Sequence, residues 1–286
     1  MVTVSYHTDP ACPWSWGAEP AVRKLMTDFG EGLEWRFVMA GLARDLAPGE
    51  SPAAPLPVET RSALVEEWLR VSERTGAPLD PLLWVDGPLR TTYPACMAVK
   101  AAAEQASDGG YAYLRRLREG IMCEGRKLDG AEALTEEARA ARLDVERFRL
   151  SLRSHAITEA FGADLEATEA LAGEARDPDG RSSVGRGGVP LPTAVFQGGE
   201  RRRVVSGAGA YDAYREAAVE CGAETMGDGR LGVEQALLRF GRLTTREVEV
   251  LCELPGPRAA AELWGLAEAW EVRAVPVLTG YLWEAA

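Results

Sequence analysis

The sequence predicts an α/β fold, with a helical insertion in mid-chain and a small α/β appendage at the end. Three observations carry that expectation. A strand-like segment runs straight into a helix at Cys12. A long stretch rich in Glu, Ala, Leu and Arg follows, and these are good helix formers. A further strand-like run then opens at Pro192 and turns back on itself before another helix.

Element by element, Val2-Thr3-Val4-Ser5-Tyr6-His7 alternates and is rich in β-branched and aromatic residues, which suits a strand. From Trp16 to Phe29, apolar side chains recur at Ala18, Val22, Leu25, Met26 and Phe29 with a helical period. Leu33 to Leu42 reads as a second strand, and the proline-rich run from Ala47 to Val58 as a linker. Helices are expected over Glu59–Thr75, Pro94–Gln105, Tyr111–Gly125, Ala131–Arg142 and, with a break, Val145–Ala172. Gly173 to Leu191 is a glycine- and proline-rich loop. Pro192 to Phe196 is a strand, Gln197-Gly198-Gly199-Glu200 a hairpin turn, Arg201–Ser206 its partner, and Tyr211–Val219 a helix. In the tail, Leu231–Phe240, Thr244–Leu254 and Pro257–Trp270 read as three helices. Thr244 and Glu247 match a capping box, and Pro257 suits a first helical turn. Val272–Val275 and Val277–Trp283 then read as a short hairpin. The expected divisions are 1–45 and 186–225 for two parts of one α/β domain, 46–185 for the insertion and 226–286 for the appendage.

A chain of 286 residues can bury a sizeable core. Its net charge of −12 disfavours nucleic acid and anionic membrane surfaces as partners. No apolar run reaches membrane-spanning length, and with a strand beginning at Val2 no secretory leader is expected. The five cysteines are odd in number and far apart, which fits a reducing cytoplasm better than a disulfide framework. With two histidines and no CxxC or HxxxH spacing, no metal site is expected.

Chemistry is expected at Cys12. A cysteine at a helix start faces unpaired N–H groups, and the helix dipole favours its thiolate, so a lowered pKa is expected. Trp14 is expected on the surface beside the thiol as an apolar platform, and Trp16 in the core. His7 reads as a sheet residue rather than a catalytic partner, and Asp9 as a border of the helix start. Cys96, Cys123, Cys221 and Cys252 read as core filling, with Cys96 or Cys123 open as a remote resolving thiol. Gly185-Arg186-Gly187-Gly188 lacks the Gly-Lys-Ser/Thr ending of a phosphate loop and reads as a flexible loop. The Arg201-Arg202-Arg203 run reads as a solvated edge strand.

The order of elements resembles the DsbA branch of the thioredoxin fold, with a winged-helix-like appendage over 226–286. Cys12-Pro13-Trp14 matches the start of the CPWC motif of FrnE-like members. Pro20 falls where active-site helices of that fold carry a kinking proline, and Pro192 opens a strand as the fold's cis-proline does, with Pro190 as its rival. The run from Asp9 to Trp16, with Glu19-Pro20, is also similar to the predicted dithiol–disulfide isomerases grouped with the YjbH/SpxH Spx-adaptor relatives, which are cytoplasmic. The resemblance implies a thiol–disulfide oxidoreductase or isomerase with Cys12 as nucleophile. Pro13, Trp14, Leu191 and Pro192 would line the substrate groove, and the Leu191 backbone would be open to pair with an extended peptide or glutathione. Ser15 stands where the resolving cysteine belongs, so Cys12 would act as a monothiol, without a bound cofactor but with glutathione or another small thiol as co-substrate. Its partner would be a protein or small-thiol disulfide, with a homodimer open. The rival expectation is a redox-inactive adaptor using the same groove. A third resemblance, to glutathione transferase kappa and chromene-carboxylate isomerases, implies serine chemistry, and Cys12 counts against it.

Overall fold

The computed structural model describes residues 1–51, 54–226 and 230–286. Residues 52–53 of the expected linker and 227–229 of the expected appendage lie outside the described residues. The central sheet is built from β1 (Val2–Thr8) and β2 (Leu33–Met39), joined by α1 (Pro13–Gly17) and α2 (Glu19–Phe29). Strand β1 pairs parallel with β2, as a helical crossover requires. The insertion follows as α3 (Val58–Thr75), α4 (Leu83–Asp86), α5 (Tyr93–Ala103), α6 (Tyr111–Met122), α7 (Ala131–Ala140), α8 (Val145–Leu152) and α9 (His155–Glu169).

The chain then returns through two very short strands, β3 (Ser183–Val184) and β4 (Pro190–Leu191), which pair antiparallel with each other. The Leu191–Pro192 peptide bond is cis. Strands β5 (Thr193–Gly198) and β6 (Arg201–Ser206) complete a four-stranded sheet in the order β2-β1-β5-β6. Arg201, Arg202 and Arg203 are exposed on the edge strand β6. Helix α10 (Tyr211–Glu220) packs beside α2, while α5 and α9 pack against β2. The sheet is therefore covered by helices, and the inward residues Val4, Tyr6, Met39, Ala194 and Phe196 are buried.

The appendage contains α11 (Val233–Phe240), β7 (Leu243–Thr244), α12 (Thr245–Leu251), α13 (Gly256–Glu268), β8 (Val272–Val277) and β9 (Gly280–Ala285). Its sheet runs β7-β9-β8, and β7 lies between the first two helices, a winged-helix order. Thr244 Oγ1 accepts the Glu247 N–H at 3.0 Å and Glu247 accepts the Thr244 N–H at 2.7 Å, so the capping box forms. The appendage has its own apolar core around Val248, Leu251, Leu263 and Trp283. Val277 and Leu282 instead join the core of the main body. Of the tail's tryptophans, Trp283 is buried in this unit, whereas Trp264 is 44% and Trp270 87% exposed.

Candidate active site

Strand β1 delivers Asp9 and Cys12 to the start of α1. Cys12 is the N-cap of α1, and its Sγ accepts the Ser15 N–H at 3.4 Å. That bond replaces the hydroxyl or carboxylate cap usual at this position. Pro13 at the first helical position has no N–H to satisfy, and the helix breaks at Ala18 just before Pro20. The thiol also lies 3.7 Å from the Leu191 carbonyl oxygen, to which its S–H donates weakly. The structure therefore places Cys12, Pro13, Ser15 and Leu191 together, with Pro192 directly behind Leu191.

Three expectations need correction. The first is the lowered pKa of Cys12. Burial pushes this thiol up from its ordinary value, hydrogen bonding from Ser15 and Ser183 offsets only part of that, and Asp9 adds to the rise. Helix α1 has five residues, so few aligned peptide dipoles favour the thiolate, and desolvation wins. The second is Trp14, which is buried rather than a surface platform. Its indole N–H donates to Glu67 on α3 at 2.7 Å, so the insertion closes over it. The third is the open Leu191 backbone. Ser183 stands opposite Leu191, and Val184 opposite Pro190, in the β3–β4 ladder.

Ser15 is fully buried, and its Oγ has no well-aligned hydrogen-bond partner among the described residues. His7 points elsewhere: its Nδ1 is 2.9 Å from Thr168 Oγ1, and burial, helped by Arg202, lowers its pKa to about 4. Asp9 does more than border the helix. Its carboxylate accepts from Ala11 N at 2.8 Å, Leu42 N at 2.6 Å, Thr92 Oγ1 at 2.7 Å and Cys96 Sγ at 3.2 Å. It thus ties β1, the segment after β2 and α5 to the turn that carries Cys12. Burial nevertheless pushes its pKa up, against those four donors. Cys96 is engaged with Asp9, and Cys123 with the Pro78 carbonyl at 3.4 Å. All five cysteines are free and buried.

Beside Cys12 lies a cleft of about 450 Å³. It is lined by Ala11 and Pro13 beside the cysteine, by Glu67, Trp68, Arg70 and Trp84 of the insertion, and by Ser183 and Val184. Trp68 and Trp84 meet edge to face with centroids 5.3 Å apart. The sequence reading missed these four insertion residues. The apolar period of α3, with Trp68 on its buried side, was the available signal.

The family model described as Thioredoxin matches residues 6–172, more than half of the chain. The chain belongs to this thioredoxin family. Among its relatives is the ClpXP adapter protein SpxH of Halalkalibacterium halodurans, 27% identical over 281 residues, covering 96% of this chain and 86% of the relative. Similar solved structures include a probable DsbA oxidoreductase from Streptomyces coelicolor, with a TM-score of 0.57 and 19% identity. That match covers 77% of this chain and 90% of the other. The cytosolic disulfide reductase DsbM from Pseudomonas aeruginosa has a TM-score of 0.54 and 22% identity over 76% of this chain and 92% of its own, and it is also solved with GSH. The DsbA-like, thioredoxin-fold expectation is met by these findings.

Proposed function

We propose that this chain is a thiol–disulfide oxidoreductase or isomerase working through Cys12 as a monothiol. The observation that carries the reading is Cys12 Sγ at the α1 start, held by the Ser15 N–H at 3.4 Å beside an apolar cleft. On loss of its proton, the Cys12 sulfur attacks a disulfide. One new S–S bond forms to Cys12, and the leaving thiolate takes up a proton. Ser15 has no sulfur with which to resolve the adduct, so an external thiol must attack it, regenerating Cys12 and carrying the new disulfide away. Glutathione is the natural co-substrate for that step, in line with the GSH complex of DsbM. A cytoplasmic setting, where such thiols abound, agrees with five free cysteines.

The test is intact mass after incubation with glutathione disulfide, followed by added reduced glutathione. One adduct on Cys12 that the reduced thiol removes is expected, and Cys12→Ser should take up none at that site. Absence of any Cys12 adduct refutes the reading.

A second reading, a redox-inactive adaptor using the same groove, is favoured by one observation. The SpxH relative spans 96% of this chain, appendage included, whereas the redox neighbours cover about three quarters of it.

A further inference from the structure

The strand edge beside Cys12 is already filled by the chain itself. Ser183 lies opposite Leu191 in an antiparallel ladder, and the Leu191 carbonyl is 3.7 Å from Cys12 Sγ. Val184 follows in the cleft lining, 72% exposed. An extended polypeptide adding to the edge of β4 would meet Leu191 and Pro190 in the positions these two residues hold.

The segment is attached as something that can be displaced. Its start is held by the Arg181 carbonyl accepting from Ala208 N at 2.7 Å, and by the exposed Arg74 on the Gly180 carbonyl at 3.3 Å. Its end is a tight glycine turn. Gly185 N donates to the Val189 carbonyl at 2.8 Å, and Gly187 and Gly188 take positive φ. A Cβ at Gly185 would sit 2.8 Å from the Leu191 side chain, so only glycine lets the turn fold this closely over the site. Neither β3 residue belongs to the main hydrophobic core.

We infer that Ser183 occupies, in the resting protein, the place opposite Leu191 that the cysteine of an extended polypeptide substrate takes in the reacting one. Serine differs from cysteine by one atom, so the segment fills the edge without being able to form the disulfide. The following position, opposite Pro190 and lining an apolar cleft, would take an apolar side chain as Val184 does. This rests on the thiol–disulfide reading above.

Ser183→Cys supplies the missing sulfur. On treatment with glutathione disulfide, one thiol of the pair attacks it and releases a first glutathione; the other then displaces the second, and the two thiol protons leave on the two reduced glutathiones. The expected product is an intramolecular disulfide between Cys12 and the introduced thiol, seen as one joined peptide after digestion without reductant. Two separate adducts, or no bond between these positions, overturn the placement of Ser183. Failure of the parent Cys12 to take glutathione refutes the exchange reading alone. The second arm uses Ser183→Pro, which removes an N–H from the ladder. The probe is a Ser-Cys-Val peptide disulfide-linked to thionitrobenzoate. Cys12 bonds to the peptide sulfur, and coloured thionitrobenzoate leaves with the electron pair. Its release should quicken by about tenfold over the parent, the scale of one or two lost backbone hydrogen bonds. An unchanged or slower rate, against a Cys12→Ser blank, overturns the proposal.

Discussion

A buried cysteine held as a neutral thiol has to lose its cover before it can attack a disulfide. Cys12 is in that condition, because burial outweighs the hydrogen bonds from Ser15 and Ser183. Iodoacetamide alkylation of Cys12 should therefore be slow at neutral pH and keep rising above about pH 8.5, the ordinary cysteine value. A plateau below pH 7 would show a stabilised thiolate and defeat this account. His7 gives the second prediction at this scale. Its folded pKa is about 4 against an ordinary 6.5, so the unfolded chain takes up a proton that the folded one refuses. The contribution is fully present above pH 6.5 and lost as pH falls from there to 4, about 3 kcal/mol in all. The His7 ring resonance, followed by NMR, should stay in its neutral position through pH 5, and a midpoint near 6.5 contradicts the buried-neutral assignment. The residue types at the site could be read from the chain, but the sign of the Cys12 shift could not. The helix start is local in sequence, whereas Leu191 beside the sulfur, and Glu67 on the helix that meets Trp14, lie far away along the chain.

At the level of elements, α1 is a short turn whose cap is the reactive sulfur itself. The Ser15 N–H reaches Cys12 Sγ, and the two side chains lie one helical turn apart. Ser15→Cys should then form an internal disulfide with Cys12 and reduce insulin disulfides faster than the parent. The Cα separation of one turn suits that bond. No internal bond under oxidising conditions would mean that α1 holds the two side chains apart. Long periodic elements such as α3, α6 and the β5–β6 hairpin were legible, because many side chains repeat one signal. Elements of two to four residues were not: β3, β4, β7 and α4 carry too few residues to show a period, and distant pairing partners define the strands. The segment that closes the site belongs to this class, so the sequence showed it only as glycine-rich loop.

Across the whole molecule, the appendage is fastened by buried charge. Glu247, fully buried at the start of α12, pairs with Arg115 at 2.8 Å and Arg23 at 3.1 Å. Arg115 also reaches Glu19 at 3.4 Å and Glu119 at 2.7 Å, and its guanidinium lies 4.2 Å over the Trp16 ring. Glu19 in turn binds Arg118, which reaches Thr8 at the end of β1. One connected set of charges therefore runs from the appendage to the sheet beside Cys12. Desolvation would raise the Glu19 pKa, but Arg118, Arg115 and Arg23 overcome it and hold it below the usual carboxylate range. The sequence marked Glu247 only as a capping residue; it serves as the cap and as the counter-ion for two buried arginines. Glu247→Gln keeps the size of the side chain and some capping, but leaves the buried Arg115 and Arg23 short of a negative charge. Breaking a buried pair in this way costs about 3–5 kcal/mol. Urea unfolding at pH 7 should show a loss of that order, whereas Glu249→Gln, whose partner Arg246 is half exposed, should change stability by less than about 1 kcal/mol. Equal, small losses in both variants would mean that the appendage is held by apolar contact at Val277 and Leu282 alone.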